Sequence, residues 1–191
     1  MKRTFLSSMV MLAAILVLGV GRAKADEITV GGTTGSNVPT GITFTAGSFN
    51  GTTSLGYAGF SNLGSYTLST SAGNYTNSVV DLTVTFTVPT GINGGASSIF
   101  VANLFGNVNT NAQGGVTIVF SNPTQNFSFS NASGTGSFSF TVNPVSLNPG
   151  GTTAVSGFVS GGSIIPAAEP SGALLLGAGL LLVPFLGRKL V

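Results

Sequence analysis

From Val80 to Val88 the chain alternates without a break: Val80, Leu82, Val84, Phe86 and Val88 are apolar, while Asp81, Thr83, Thr85 and Thr87 are polar. Period two places such sets on opposite faces of a sheet. Leu82, Val84, Phe86 and Val88 should therefore face a core, with the threonines opposite. Pro89-Thr90-Gly91 ends the segment.

Around this strand the signals repeat in shorter form. Ile42–Ala46 and Val116–Phe120 alternate, and Tyr66–Ser69 and the weaker Ser54–Phe60 read as strands. Phe127–Ser130 and Phe138–Val142 read as partners of one hairpin with their rings in the core, turned at Asn131–Thr135. Ile99–Phe105 is more continuously apolar, broken only by Asn103, and is expected to be buried on both faces. Thr153–Ser160 is expected as the last strand. Gly31–Thr40, Gly47–Thr53 and Asn107–Gly115 read as turns and loops, being rich in Gly, Asn, Ser and Thr. Many short strands at roughly ten-residue spacing point to an all-β fold. The expectation is an antiparallel β-sandwich, jelly-roll or Ig-like, with a closed barrel as the alternative. An outer-membrane barrel fits poorly, because outward apolar bands and aromatic girdles are weak.

The net charge of +2 suggests a basic protein until the charges are located. Lys2, Arg3, Arg22, Lys24, Arg188 and Lys189 are all the basic residues, and all lie near the ends. From Asp26 to Ile165 only Asp26, Glu27 and Asp81 are charged. Neutralising phosphates takes Lys or Arg, so no nucleic-acid partner is expected. Cys is absent, so no disulfide can staple the body.

The same inventory argues against catalysis. A serine or threonine nucleophile needs a neighbouring base, and the body has no His, Lys or Cys. A glycosidase needs two carboxylates across one bond, and Asp81 is the one acid well inside the body. A calcium site on Asp81 alone would be weak, so Asp81 reads as a residue that aids solubility. No enzyme, metal or cofactor is expected. Four Asn-X-Ser/Thr triplets, at Asn50, Asn74, Asn126 and Asn131, read as incidental.

The C-terminal stretch has three parts: Glu169-Pro170, an uncharged apolar run from Ser171 to Gly187, and the basic pair Arg188-Lys189. The run sits near the lower limit of about 17 residues for a membrane-spanning helix. Arg188 and Lys189 would hold its end in the cytoplasm. This tail resembles the sorting signal of PEP-CTERM proteins of Gram-negative bacteria: a Pro-Glu-Pro element, a Leu/Gly-rich apolar helix and a basic end. The matching residues are Glu169, Pro170, Leu174–Leu186 and Arg188-Lys189, with Ala168 where the family usually has Pro. The resemblance covers about an eighth of the chain. It implies an exosortase-type membrane transpeptidase as partner, transient anchoring in the inner membrane, and a final place at an exopolysaccharide-rich cell surface.

The N-terminus agrees. Lys2-Arg3, the apolar stretch Phe5–Val20 and the small-x-small site Ala23-Lys24-Ala25 form a secretory signal peptide. Sec export and cleavage by signal peptidase after Ala25 are expected. The resulting division is a signal peptide at 1–25, a β-domain at 26–162, a linker with the Glu-Pro element at 163–170, and a transmembrane helix with its basic end at 171–191.

Sheet edges are usually guarded by Lys, Pro or other charge, and here the strands carry no base. Open edges of low charge would favour lateral pairing or adhesion to neutral polymer. Two functions fit: a non-enzymatic surface or extracellular-matrix protein associated with exopolysaccharide or biofilm, or a carbohydrate-binding module. The second would need aromatic platforms, for which Tyr57, Tyr66 and Tyr75 are the candidates, two of them together on one shallow face.

Overall fold

The structure is a computed structural model that describes residues 27–167. Signal-peptide residues Ala23 and Ala25 and tail residues Glu169, Pro170, Arg188 and Lys189 lie outside the described residues. Among the described residues no helix is long and apolar enough to cross a membrane.

The fold is all-β, built from antiparallel curled sheets. Its strands are β1 (Thr29–Asn37), β2 (Ile42–Thr45), β3 (Ser48–Thr52), β4 (Ala58–Phe60), β5 (Ser65–Leu68), β6 (Gly73–Asn74) and β7 (Val79–Val88). They continue as β8 (Ser97–Val108), β9 (Gly114–Phe120), β10 (Thr124–Asn131), β11 (Gly134–Val142), β12 (Val145–Leu147), β13 (Thr152–Ala154) and β14 (Gly157–Pro166). The large sheet runs β12-β9-β8-β7-β1-β3, with β6 also paired to β8. A second sheet runs β10-β11-β14-β4, and a third β13-β5-β2.

β7 is the strand that the alternation requires: Val80, Leu82, Val84 and Phe86 are buried. Its last apolar residue departs from the expectation. Val88 is exposed at the strand end, where it pairs with Gly31 across a bulge and walls an open cleft. Phe86 joins the large and second sheets: its ring lies 4.7 Å from that of Phe127 and 5.4 Å from those of Phe138 and Phe140. Offset and edge-on rings at such separations attract beyond their area burial. The hairpin β10–β11 pairs Phe127 directly with Phe138, as the repeated Phe-Ser-Phe indicates. The third sheet adds Ile42, Tyr66 and Leu68 to the same core.

Three expectations need correcting. Gly31–Asn37 is not loop but most of β1, an interior strand between β3 and β7. Its glycines let the backbones approach closely: a Cβ at Gly32 would drive into the Thr85 carbonyl oxygen. Likewise Ser48–Thr52 is strand, carrying Phe49 into the core. Finally, β8 is buried on one face only. Phe100, Ala102 and Leu104 point inward, while Ile99, Val101 and Phe105 are exposed, because no layer covers the outer face of the large sheet among the described residues.

The expected last strand, Thr153–Ser160, is split: its start lies in β13 of the third sheet and its end in β14 of the second. β14 runs to Pro166, and Ser163–Pro166 pair with Gly134–Ser137 where a linker was expected from residue 163. A bulge at Gly161 and Gly162 lets the strand resume after slipping register.

Candidate functional site

The three tyrosines part company. Tyr66 is fully buried on β5, with its hydroxyl 3.0 Å from Ser36 Oγ and its ring 4.8 Å from that of Phe44. Tyr75 is buried as well. Both are core residues, so neither can take part in a glycan platform. Tyr57 alone is exposed, stacked on Phe158 at 5.6 Å. The turn preceding it, Ser54-Leu55-Gly56-Tyr57, is closed by reciprocal backbone hydrogen bonds of 2.9 and 3.1 Å between Ser54 and Tyr57. Leu55 takes φ 52° there, with its side chain almost wholly in solvent.

Burial pushes the Tyr66 phenol up to about 12 from an ordinary 10.0; the Ser36 hydrogen bond opposes this and Asp81 adds to it. The folded state therefore keeps its proton where the unfolded chain loses it. The associated stability is complete below pH 10 and is lost as pH rises toward 12, roughly 3 kcal/mol in all at 1.36 kcal/mol per unit. Urea titrations at rising pH should show this fall, and Tyr66→Phe should flatten it.

Two of the clefts among the described residues are open to solvent. One of ≈ 560 Å³ is lined by Gly73, Asn74, Thr76, Asn107 and Val108, with no ionisable side chain among its lining residues. The other, of ≈ 370 Å³, has an apolar wall of Ile28, Val88, Phe129 and Ile164 with Glu27 at hand. Among the described residues no three of His, Cys, Asp and Glu are grouped to hold a metal ion.

Several sheet edges are covered or short rather than guarded by charge. Along β10, the β7–β8 connection lies on the edge: Asn93 N–H donates to Ser128 O at 2.9 Å, and Ser130 N–H to Gly91 O at 3.0 Å. Gln125 Nε2 donates to Ile99 O at 2.9 Å, and Ser98 Oγ donates to Gln125 Oε1. On β12, Thr153 Oγ1 donates to Ser146 O at 3.0 Å. The edge strands β4, β13 and β2 have only three or four residues each. Short or covered edges remove the template for strand addition. The bonds that cover β10 and β12 come from distant loops and carry no local signature, while β3 stands at the other end of the large sheet.

What remains open is a face. On the outer side of the large sheet, Ile99 is 56% exposed, Phe105 52%, Val79 48%, Val101 44% and Val119 41%. Cross-strand register gathers them: Val79 lies opposite Asn103, which lies opposite Val119. Val101 and Phe105 flank Asn103 two residues away on either side of β8. Asp81, opposite Val101, is the one charge there. The nearly unbroken apolarity from Ile99 to Phe105 is the hint in the sequence, and on its own it indicates burial on both faces.

Compared with protein families, curated proteins and solved structures, the chain matches none.

Proposed function

We propose that this chain is an exported, non-enzymatic surface or extracellular-matrix protein, sorted through its PEP-CTERM-like tail into an exopolysaccharide-rich layer. The observation that carries the reading is the segregation of charge. All six basic residues flank two apolar terminal runs, and none lies in the body between them. Each run has the polarity of a membrane-handled signal. In this reading the Sec machinery and signal peptidase act at Ala23–Ala25. An exosortase-type transpeptidase acts at Glu169-Pro170 while Arg188 and Lys189 hold the tail in the inner membrane.

We read the body as a β-sandwich, jelly-roll or Ig-like, in which the large and second sheets face each other through their phenylalanines. The contacts of Phe86 with Phe127, Phe138 and Phe140 support this. A carbohydrate-binding module stands second, because Tyr57 is the only one of its three tyrosines left at the surface.

The intact mass of the protein recovered from the cell surface or medium tests the proposal. The expected mass spans Asp26 to near Glu169. A mass reaching Val191 would leave the tail a plain anchor and remove the transpeptidase from the account.

A further inference from the structure

We propose that the outer face of the large sheet, centred on Asn103, docks a second copy of this chain face to face. The inference is independent of whether the tail is processed. Isolated surface apolar residues need no explanation, but contiguous patches mark interaction sites. Here Val79, Ile99, Val101, Phe105 and Val119 occupy three adjacent strands of one face.

The chemistry of the face selects the occupant. Asp81 is its only charge, so a strongly acidic or basic partner would find no matching field. A second copy brings the same nearly uncharged surface. The register makes that surface self-complementary, as a twofold interface demands. With the axis along β8, Ile99, Val101, Asn103 and Phe105 each meet their own counterparts. Val79, opposite Asn103 on β7, meets Val119, opposite Asn103 on β9. Apolar groups cover apolar groups, amide meets amide, and the two Asp81 side chains fall on opposite sides of the axis.

Size sets the strength. Three strands spaced about 4.8 Å apart and about 20 Å long present roughly 300 Å². A standard stable interface takes about 800 Å² from each partner. The pair should therefore form reversibly, as suits a protein that must be exported before it assembles. Strand addition is the competing route to self-association; the covered edges of β10 and β12 disfavour it there, which leaves β3 as the edge for it in the large sheet.

The chain has no cysteine, which gives a direct test. Asn103→Cys is placed in the full chain, made in its own cell, reduced, and treated with a thiol-to-thiol cross-linker of about 10 Å span, matching the spacing of face-packed sheets. Ser137→Cys, on the second sheet, is the control. The expected result is a species of twice the protomer mass from Asn103→Cys and none from Ser137→Cys. Adding Ile99→Thr and Phe105→Thr should cut that species at least tenfold without moving the thermal midpoint, since both side chains point outward. No dimer, equal dimer from both cysteines, dimer that survives the threonine changes, or a product heavier by some mass other than one protomer would each overturn the proposal.

Discussion

Phe140→Ala should lower the unfolding free energy by about 3–5 kcal/mol. Phe140 is fully buried on β11, and its ring centroid lies 5.4 Å from those of Phe49 and Phe86 and 6.0 Å from those of Phe60 and Phe100. Those rings come from β3, β7, β4 and β8, so one side chain touches both the large and the second sheet. Truncation removes the shared partner of four aromatic contacts, and strands fixed by hydrogen bonds cannot collapse into the space. Domains of this size have only about 5–15 kcal/mol to lose. With no disulfide to limit the unfolded chain, the loss should appear in full in a urea melt. Leu55→Ala is the matched control: its side chain is almost wholly exposed, so its midpoint should move by no more than a surface change does, about 0.5 kcal/mol. A Phe140→Ala loss below 1 kcal/mol would mean that the two sheets do not pack through this residue.

What the sequence disclosed follows from where the physical signal lay. β7, β9 and the β10–β11 hairpin alternate large apolar with small polar side chains, and each buries the expected set apart from Val88 and the half-buried Phe127. β1 and β3 escaped because their residues, Thr-Val-Gly-Gly-Thr-Thr-Gly-Ser-Asn and Ser-Phe-Asn-Gly-Thr, have the composition of turns. They are strands because neighbours hold them, β7 on one side of β1 and β3 on the other, which is tertiary context overriding propensity. The outward face of β8 is hidden in the sequence for the opposite reason. Ile99, Val101 and Phe105 look like core, and only the assembled sheet shows that nothing in the described residues covers them. The tyrosines could not be sorted in advance, since an aromatic ring with one hydroxyl suits a core that offers a partner as well as a surface. Ser36 supplies that partner for Tyr66.

That interior strand of glycine and threonine yields the other large effect. In β1, Gly32→Ala should destabilise the fold by about 3 kcal/mol, at the upper end for forcing extra volume into packed structure. The added Cβ would run into the Thr85 carbonyl oxygen and stand 3.0 Å from the Phe86 Cα. Both are backbone of β7, which is fixed on its other side by β8, so nothing flexible can give way. Gly35→Ala, three residues along the same strand, should do the reverse. It meets nothing within 4 Å and has no positive φ. There a methyl group only narrows the unfolded ensemble, worth about 0.4–1 kcal/mol of stabilisation. The pair separates two explanations of a glycine-rich strand. If glycine were present merely as loop filler, both changes would be neutral or helpful in a denaturation curve. Opposite signs within one strand would show that Gly32 is required by the close approach of β7, beside the bulge where Val88 turns outward.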